Sequence, residues 1–342
     1  MAQSLSSSQF EAALRAVDAD AASPAEKVEM LIDIALQMQA RPKDAAELHR
    51  AVELYERALG ICPPESPLLA ARTRARMGTA LQALPDGGVD ALRKAEGLYE
   101  QAIPTLHEHA RPQEAAETEM NLGLVTQTLA GMGYARINDA IQWYHRALRT
   151  FTRDAHPQEY AILHNNLAVA YLSIPLSDER ARMREALAVQ SFEEVLKIVT
   201  LVDHPSEYAM LQNNLGNALQ YAASGHPLEN NLRALAAYDE ALKVRTVRDT
   251  PLEYANTIAN KANVLRNLPA DPEQPGSGRD ASLDRATALY QEARQIFLRH
   301  RQEGSASLVE SALAEIAVER GSAAAPRGNG ASGANGNGAA RI

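Results

Sequence analysis

A single proline recurs along this sequence in the same local setting, and no other feature constrains the fold as strongly. The spacings between its successive copies are 43, 45, 45, 48 and 46 residues. A nearly constant period of this length is typical of arrays in which each repeat is one supersecondary unit. The sequence therefore predicts six units in register, which start at Pro24, Pro67, Pro112, Pro157, Pro205 and Pro251.

Two further markers recur in every unit, and the first of them keeps a fixed position when the proline is counted as position 1. Position 12 is always a small residue: Ala35, Gly78, Gly123, Ala168, Gly216 and Ala262. The second part of each unit carries an aromatic residue, and the series is Tyr55, Tyr99, Tyr144, Phe192, Tyr238 and Tyr290. We predict an antiparallel pair, helix A and helix B, in each unit. The small residue would let helix B approach closely, and the ring would fill the gap against the next helix A.

The recurrent proline is expected to begin helix A. Proline fixes φ near the helical value, and its missing N–H costs nothing in the first turn, where that group would be unpaired. Two units also contain the residues of a capping box, Ser23 with Glu26 and Thr250 with Glu253. In such a box the hydroxyl and the carboxylate satisfy backbone donors reciprocally.

Composition agrees with an all-helical fold and restricts the partners. Hydrophobic residues make up 46% of the chain but aromatic residues only 5%, whereas sheets favour aromatic and β-branched side chains. The formal net charge is −9, from 43 acidic and 34 basic residues. Such a surface repels phosphate backbones, so no nucleic acid partner is expected.

The same sequence bears on localisation and on the domain boundaries. A single cysteine, Cys62, leaves no internal disulfide framework and favours the cytoplasm. Neither a signal-peptide pattern nor a run of about 18 apolar residues is found, so no membrane association is expected. We expect an N-terminal segment with a short capping helix at 1–22, the repeat array at 23–302, a C-terminal capping helix at 303–320 and a disordered Gly/Ala/Asn tail at 321–342.

Residues 156–168 read HPQEYAILHNNLA, and residues 204–216 repeat the pattern as HPSEYAMLQNNLG. With the doubled Asn before Leu and a small residue, these segments resemble helix A of the tetratricopeptide repeat family, in particular its kinesin light chain type. The long repeats are also similar to arrays found in bacterial multidomain proteins. The resemblance implies an all-α, right-handed superhelical solenoid of six tetratricopeptide-like helix hairpins with capping helices at both ends.

In that family helix A lines a concave groove that binds extended peptides or partner helices. Carried over to this sequence, the resemblance implies ten peptide-binding or partner-binding residues: Glu117, Gln127, Asn165, Asn213, Asn217, Gln220, Tyr221, Asn256, Asn263 and Arg266. It implies six further groove positions at Arg72, Thr79, Gln82, Met120, Leu124 and Val169.

Asparagine is the most informative member of this set. An amide offers both a donor and an acceptor, so a row of Asn can pair with the backbone of a peptide whatever its side chains. Asparagines at position 10 are instead expected to bond between helices, and these are Asn121, Asn166, Asn214 and Asn260. The first two units depart from the pattern, with Asp33 and Arg76 at position 10.

The sequence contains none of the motifs that mark phosphate-binding loops, metalloproteases or nucleophile elbows. His107 and His109 have no third ligand apparent, so we predict no catalytic residue, no metal site and no cofactor. The first hypothesis is a non-catalytic adaptor or assembly scaffold that binds a protein or an extended peptide. The alternative is a regulatory sensor whose superhelix changes conformation when a peptide signal binds. An enzyme is the third hypothesis, and the sequence leaves the oligomeric state open.

Overall fold

The computed structural model describes residues 21–40, 44–174, 180–221, 226–270 and 278–324, together with positions 11, 14, 15, 17, 18, 42 and 272. At residues 180–182, 221 and 321–324 it describes the backbone alone. The regular structure of these residues is entirely α-helical. Contacts divide the chain into two compact units, residues 1–174 and 175–342. The sequence predicted one continuous array, but an array with contacts only between neighbouring repeats can divide at a single connector.

The first unit contains seven described helices, and each packs against the next along the chain. They are α1 (Pro24–Ala40), α2 (Ala45–Ile61), α3 (Pro67–Gln82), α4 (Gly88–His109), α5 (Pro112–Gly131), α6 (Ile137–Ala147) and α7 (Pro157–Leu172). Contacts also join α1 to α3, α3 to α5, and α5 to α7. The helices that begin at the recurrent prolines therefore form a row of neighbours within this unit.

The second unit follows the same order of packing in its described residues. Its helices are α8 (Arg180–Leu196), α9 (Pro205–Tyr221), α10 (Pro227–Leu242), α11 (Pro251–Arg266), α12 (Gly278–Arg299) and α13 (Glu303–Ala324). Each helix packs against the next, and α9 also contacts α11. All six recurrent prolines begin helices, as the sequence predicted, and we call α1, α3, α5, α7, α9 and α11 the A helices.

The cap of α1 confirms one of the two predicted capping boxes. The N–H of Ser23 donates to Glu26 Oε2 at 2.8 Å, and the N–H of Glu26 donates to Ser23 Oγ at 3.3 Å. The Ser23 hydroxyl also donates to Glu26 Oε2 at 2.7 Å, and this bond, together with the one from the Ser23 N–H, lowers the pKa of the Glu26 carboxyl. The predicted box at Thr250 is wrong, because the Thr250 side chain makes no cap hydrogen bond. Its Oγ1 instead accepts from the N–H of Thr246 at 3.1 Å and closes the preceding turn.

The small residue at position 12 lies directly under the aromatic ring of the helix that follows. A Cβ atom added at Gly78 would be 2.7 Å from Tyr99 Cε1, and one added at Gly216 would be 2.6 Å from Tyr238 Cε1. Helix B thus approaches helix A as closely as the sequence predicted. The prediction that the ring packs on the next helix A missed this contact, because the ring lies on the helix A that precedes it.

These rings form the interior of the two units. The aromatic residue of every repeat is fully buried, and the series is Tyr55, Tyr99, Tyr144, Phe192, Tyr238 and Tyr290. The alanines that occupy position 12 in the other repeats, Ala35, Ala168 and Ala262, are also completely buried. In the three repeats with glycine at position 12, the contact between helix A and helix B is therefore built from one large ring and one small residue, which keeps these helices at close range.

The ends of the chain bear on the predicted boundaries. Helix α13 begins at Glu303, where the sequence predicted the C-terminal capping helix, and continues to Ala324, four residues beyond the expected end at 320. Most of the predicted N-terminal capping helix lies outside the described residues, although positions 11, 14, 15 and 17 are helical. The rest of the predicted tail, from 325 to 342, also lies outside them.

Candidate functional site

The row of A helices in the first unit encloses a polar cavity of about 390 Å³. Its lining comes from α1, α3 and α5, together with one residue of α4 and one of the connector before α5. The lining residues are Leu36, Gln39, Arg72, Ala75, Arg76, Thr79, Leu106, Arg111, Glu114, Glu117, Thr118 and Asn121. Three of the sequence-predicted groove positions, Arg72, Thr79 and Glu117, are brought together here.

One wall of the cavity is an ion pair between neighbouring A helices. Arg72 Nε donates to Glu114 Oε2 at 2.7 Å, and Arg72 Nη2 donates to Glu114 Oε1 at 3.0 Å. This bidentate geometry is the strong form of an arginine–carboxylate contact. The hydrogen bonds from Arg72 hold the pKa of the Glu114 carboxyl below its ordinary value. Arg72 is therefore oriented by Glu114, and its charge is compensated there.

The second arginine of the cavity, Arg76, is different. Its side chain is half-buried, and no carboxylate of the described residues lies within ion-pair distance of its guanidinium. Position 10 carries Asn in the four later repeats, so this charge is specific to the second repeat. A guanidinium presents five N–H donors in a planar fork. Arg76 thus offers unused donors to whatever enters the cavity.

Several predicted binding amides are engaged inside the protein. The hydroxyl of Tyr144 donates to Gln127 Oε1 at 2.8 Å. In the second unit the hydroxyl of Tyr238 donates to Asn217 Oδ1 at 2.7 Å and lies 3.3 Å from Gln220 Oε1. These acceptors satisfy the polar end of a buried tyrosine, which explains their recurrence without any ligand.

The same contact recurs at position 16 of the first two repeats. Tyr55 donates to Gln39 at 3.0 Å, and Tyr99 donates to Gln82 at 3.3 Å. The fourth repeat has Phe192 in place of tyrosine, and its position 16 is Leu172. A phenylalanine ring has no hydroxyl, so the fourth repeat needs no hydrogen-bond acceptor at position 16. The apolar Leu172 at that position agrees with this. The pairing of position 16 with the aromatic residue is visible in the sequence. The assignment of Gln127 and Gln220 to the groove did not take it into account.

Two asparagines of the second unit are buried, and one of them, Asn213, was assigned to the groove. Asn213 is 8% exposed and Asn260 is 9% exposed. Asn260 Nδ2 donates to Asn213 Oδ1 at 3.5 Å, which joins α9 to α11. The prediction that position 10 bonds between helices holds for Asn260. Asn213 was predicted to face a ligand. No contact supports this prediction, because the side chain is buried and bonded to Asn260 between α9 and α11.

The other predicted residues occupy different environments. Asn165 in α7 is half-buried, and its Oδ1 has no hydrogen-bond partner among the described residues. Asn256 and Asn263 in α11 are partly exposed. Arg266 is held by α13, where its Nη1 lies 2.6 Å from Glu315 Oε2. The side chain of Tyr221 lies outside the described residues.

The structure also adds residues that the sequence did not assign to a site. Gln39, Arg76 and Asn121 line the cavity. Asn121 was expected to bond between helices because it stands at position 10. The helical period could have identified Asn121 as a lining residue from the sequence, because positions 6, 10 and 13 lie on the same face of a helix. Glu117, Asn121 and Leu124 follow this spacing and are at least partly exposed.

His107 serves a structural contact. Its Nε2 lies 2.9 Å from Glu119 Oε1, and Arg146 Nη2 lies 2.8 Å from the same oxygen. Glu119 is only 2% exposed, so these two partners compensate a buried carboxylate. Within the described part of the chain, no group of three or more His, Cys, Asp or Glu side chains is placed to hold a metal ion. The helices found there are also too short or too polar to cross a membrane.

The described helices have the fold of a tetratricopeptide-type helical repeat. No protein-family model matches the chain, and no curated protein matches its sequence. The structure is similar to that of BtubC (BKLC) from P. vanneervenii, a kinesin light chain-like repeat protein, with a TM-score of 0.51 and 19% sequence identity. The match covers 89% of this chain and 99% of BtubC.

A second similar structure is a signal transduction ATPase with numerous domains that carries a tetratricopeptide repeat sensor, from Pyrococcus horikoshii. Its TM-score is 0.47 at 13% identity, and the match covers 84% of this chain but only 42% of that protein. At the identity to BtubC the likeness shows the fold alone. It confirms the helical repeat fold that the resemblance to tetratricopeptide repeats implied.

Proposed function

We propose that this chain is a non-catalytic scaffold that binds a protein partner through an extended segment lying along its A helices. The observation that carries the proposal is the cavity between α1, α3 and α5, which is lined by donors and acceptors from three successive A helices. A ligand that contacts three parallel helices must itself extend across them. An extended peptide has this shape, and it presents backbone groups and side chains at regular intervals.

The chemistry of the cavity fits binding better than catalysis. Its lining supplies arginine, carboxylate, amide, threonine and apolar groups, but no serine, cysteine or histidine. A nucleophile beside a base is the minimum for covalent catalysis. The hydroxyls of Thr79 and Thr118 bond to backbone carbonyls and to the Tyr99 hydroxyl, and not to a carboxylate of the lining. The partly exposed amides Asn256 and Asn263 on α11 give the second unit a further A-helix surface for the same use.

The full architecture that we propose is six tetratricopeptide-like hairpins in a right-handed superhelix, closed by α13. Six helices that start at recurrent prolines, each followed along the chain by a helix that carries a buried ring, support this count. Arrays of this kind act as extended binding surfaces because each repeat contacts only its neighbours. The alternative of a sensor that changes conformation on binding a peptide stays a prediction.

A selection experiment tests the scaffold proposal. The full chain is immobilised, and 12-residue peptides are selected from a phage-displayed library. An enriched peptide is then labelled, and its Kd is measured by fluorescence anisotropy for the wild type and for variants. We expect the double variant Glu117→Ala, Asn121→Ala to raise the Kd about tenfold, the effect of losing one or two hydrogen bonds.

The matched control is Gln101→Ala, which removes an exposed amide from α4, outside the cavity. Its Kd should equal that of the wild type. Thermal melts of all three proteins must coincide within a few degrees, so that binding and folding are separated. If no peptide is enriched, or if the enriched peptides bind the double variant and the wild type equally, the proposed binding surface is wrong.

A further inference from the structure

A second cavity of the first unit, with a volume of about 270 Å³, lies between α4 and α6, which are helix B of the second and third repeats. One residue of α5 and one of the connector after it complete the lining. The lining residues are Glu96, Glu100, Thr126, Ala135, Asp139, Gln142, Trp143 and Arg146. None of them lines the cavity between the A helices, so a group bound here would occupy a different surface.

Two of these residues depart from the repeat. Glu96 stands three residues before the buried ring of its repeat, where the others carry Val52, Ile141, Val189, Leu235 and Thr287. Thr126 stands at position 15 of the next helix A, where the others carry Met38, Leu81, Tyr171, Leu219 and Leu265. Between the first two repeats, Val52 and Leu81 belong to one buried apolar cluster. A carboxylate and a short hydroxyl side chain take the places of such a pair between the second and third repeats.

This replacement leaves a carboxylate poorly compensated. Thr126 is only 3% exposed, and its Oγ1 lies 3.5 Å from Glu96 Oε1, the outer limit of a hydrogen bond. Burial raises the pKa of the Glu96 carboxyl above its ordinary value, and the carboxylate of Glu100 raises it further. Arg93 opposes this shift, but it forms no ion pair with Glu96. Burying a charge without a close partner is unfavourable, so packing alone does not account for Glu96.

The cavity as a whole carries an excess of negative charge. Its charged residues are Glu96, Glu100, Asp139 and Arg146, which sum to two net negative charges. Asp139 pairs with Arg136 at 3.0 Å, and Arg146 pairs with Glu119 at 2.8 Å, so these two are compensated by residues outside the lining. The two glutamates, one helical turn apart, have no ion pair among the described residues and repel each other.

The rest of the lining indicates which kind of cation fits. Trp143 and Ala135 place apolar surface beside the carboxylates. The guanidinium of Arg146 lies 4.5 Å from the centre of the Trp143 ring, so this indole already contacts one cation. Lysine and arginine pack their methylene stems on apolar surface while the charged end meets a carboxylate. A metal ion fits less well, because the described residues contain no group of three or more ligating side chains placed to hold one.

We propose that this cavity binds a lysine or arginine side chain of a basic protein segment, with Glu96 and Glu100 as its counter-charges. The formal net charge of −9 favours the approach of such a segment. The inference adds a second interaction surface on the B helices and does not rest on the peptide site proposed along the A helices.

The fluorescence of Trp143 tests this directly, because it is the only tryptophan of the chain and lines the cavity. The probes are acetyl-Gly-Arg-Gly-amide and acetyl-Gly-Lys-Gly-amide, and the neutral controls carry citrulline or acetyl-lysine in place of the basic residue. We expect each basic peptide to change the emission saturably, with a Kd on the order of millimolar. The neutral peptides should leave it unchanged. Equal changes with basic and neutral peptides, or no change with any of them, would show that no basic side chain binds beside the indole.

A charge-neutral variant tests the two glutamates. Glu96→Gln, Glu100→Gln should raise the Kd of both basic peptides at least about tenfold. Its melting temperature should not fall, because the change removes a repulsion between two carboxylates. The matched control is Asp90→Asn, Glu108→Gln, which removes two exposed charges from the same helix outside the cavity and should bind as the wild type does. If both variants weaken binding equally, only the overall charge attracts the peptides, and the proposal is overturned.

A second variant restores the apolar pair of the first two repeats. Glu96→Val, Thr126→Leu should abolish the response to basic peptides, because it fills the cavity and removes a counter-charge. If this variant binds them as the wild type does, the two departures from the repeat have no part in binding, and the proposal is wrong. Calcium chloride is a further probe. An emission change at a lower calcium concentration than peptide concentration would assign the carboxylates to a metal site instead.

The variant Glu117→Ala, Asn121→Ala separates this surface from the cavity between the A helices. It should bind the basic tripeptides with the Kd of the wild type, whatever its effect on the selected peptides. If it loses the basic tripeptides, the carboxylate that attracts them lies between the A helices, and the proposed site on the B helices is overturned.

Discussion

The phenol ring of Tyr144 lies against the α-carbon of Gly123 so closely that a Cβ atom there would be 2.6 Å from the ring carbon Cε1. The ring cannot move aside, because Tyr144 is completely buried and its hydroxyl is bonded to Gln127. This contact recurs at Gly78 with Tyr99, so two hairpins of the first unit share the same close approach of helix A and helix B. It defines the packing geometry of the repeat.

Replacing Gly123 by Ala should therefore destabilise the protein, although Ala is the better helix former. We expect a loss of about 1–3 kcal/mol, the usual effect of overpacking a tight interior. The control is Gly97→Ala in the middle of α4, where no heavy atom lies within 4 Å of the new Cβ. That change should stabilise the helix by about 0.5–1 kcal/mol. Urea unfolding followed by circular dichroism measures both, and equal effects of the two variants would contradict the packing argument.

The bond between Tyr144 and Gln127 should show energetic coupling. Tyr144→Phe should cost about 0.5–1.5 kcal/mol, and Gln127→Leu should cost about 1–3 kcal/mol because it leaves a buried hydroxyl without an acceptor. The double variant reproduces the combination of Phe192 and Leu172 in the fourth repeat. It should be more stable than the sum of the single effects allows, with a coupling of at least about 0.5 kcal/mol. Strictly additive effects would show that the hydrogen bond contributes nothing.

Lys261 stands at position 11, where the other repeats carry Ile, Met or Leu, and it is only 7% exposed. Its ammonium pairs with the carboxylate of Asp239 on α10. Because burying an ion pair costs desolvation energy, Lys261→Met should leave the stability unchanged or raise it. Asp239→Asn should lower it, since the buried ammonium then loses its counter-charge. The midpoints of thermal unfolding compare the two, and a Lys261→Met protein less stable than Asp239→Asn would refute this account.

The Arg72–Glu114 pair should make stability depend on pH. The pKa of Glu114 is lowered in the folded protein, chiefly by hydrogen bonds from Arg72. Its stabilisation is thus fully present above the unfolded pKa, at about 4.3, and is lost as the pH falls through the lower folded pKa. The difference in urea midpoint between the wild type and Glu114→Gln should be constant near neutral pH and should shrink below about pH 4.3. A difference that persists in strong acid would mean that the ion pair is not its source.

Helix α13 is held by exposed ion pairs and by a small apolar contact. The free-energy contribution of each decides which of them keeps the helix in place. Glu315, which pairs with Arg266, has a side chain that is 62% exposed, whereas Ile316 is 2% exposed. Ile316→Ala should cost about 2–4 kcal/mol, against less than about 1 kcal/mol for Glu315→Gln. Hydrogen exchange of the α13 amides measures both. Faster exchange in Glu315→Gln than in Ile316→Ala would show that charge, and not apolar burial, holds the helix.

Much of the fold was predictable because its determinants are local or periodic. Proline at a helix start, a small residue at position 12 and a ring in the following helix each act within one hairpin and recur with the repeat. The prediction of a capping box at Thr250 was wrong, for a physical reason that the sequence motif does not contain. A hydroxyl has several acceptors and donors within reach, and the N–H of Thr246 is the one that Thr250 Oγ1 bonds.

The candidate site was harder to predict, because a polar residue can recur in the repeats for two reasons. It can bind a ligand, or it can satisfy a hydrogen-bonding group inside the protein. Gln127 and Gln220 recur to satisfy tyrosine hydroxyls. A residue such as Arg76 does not recur at all, although it lines the cavity of the first unit and has no ion-pair partner among the described residues. In this chain, polar residues that repeat serve as structural partners. A residue that departs from the repeat is therefore the better candidate for a functional role.

The sequence by itself determined the helical repeat, the residues that begin its A helices and the pairing of a ring with a small residue, since these depend on neighbours a few positions away and on one fixed period. Only the tertiary structure decided which polar side chains are occupied and which are free. That distinction depends on groups contributed by other helices, and Arg72 and Arg76, four residues apart on α3, differ because Glu114 on α5 reaches one of them and not the other.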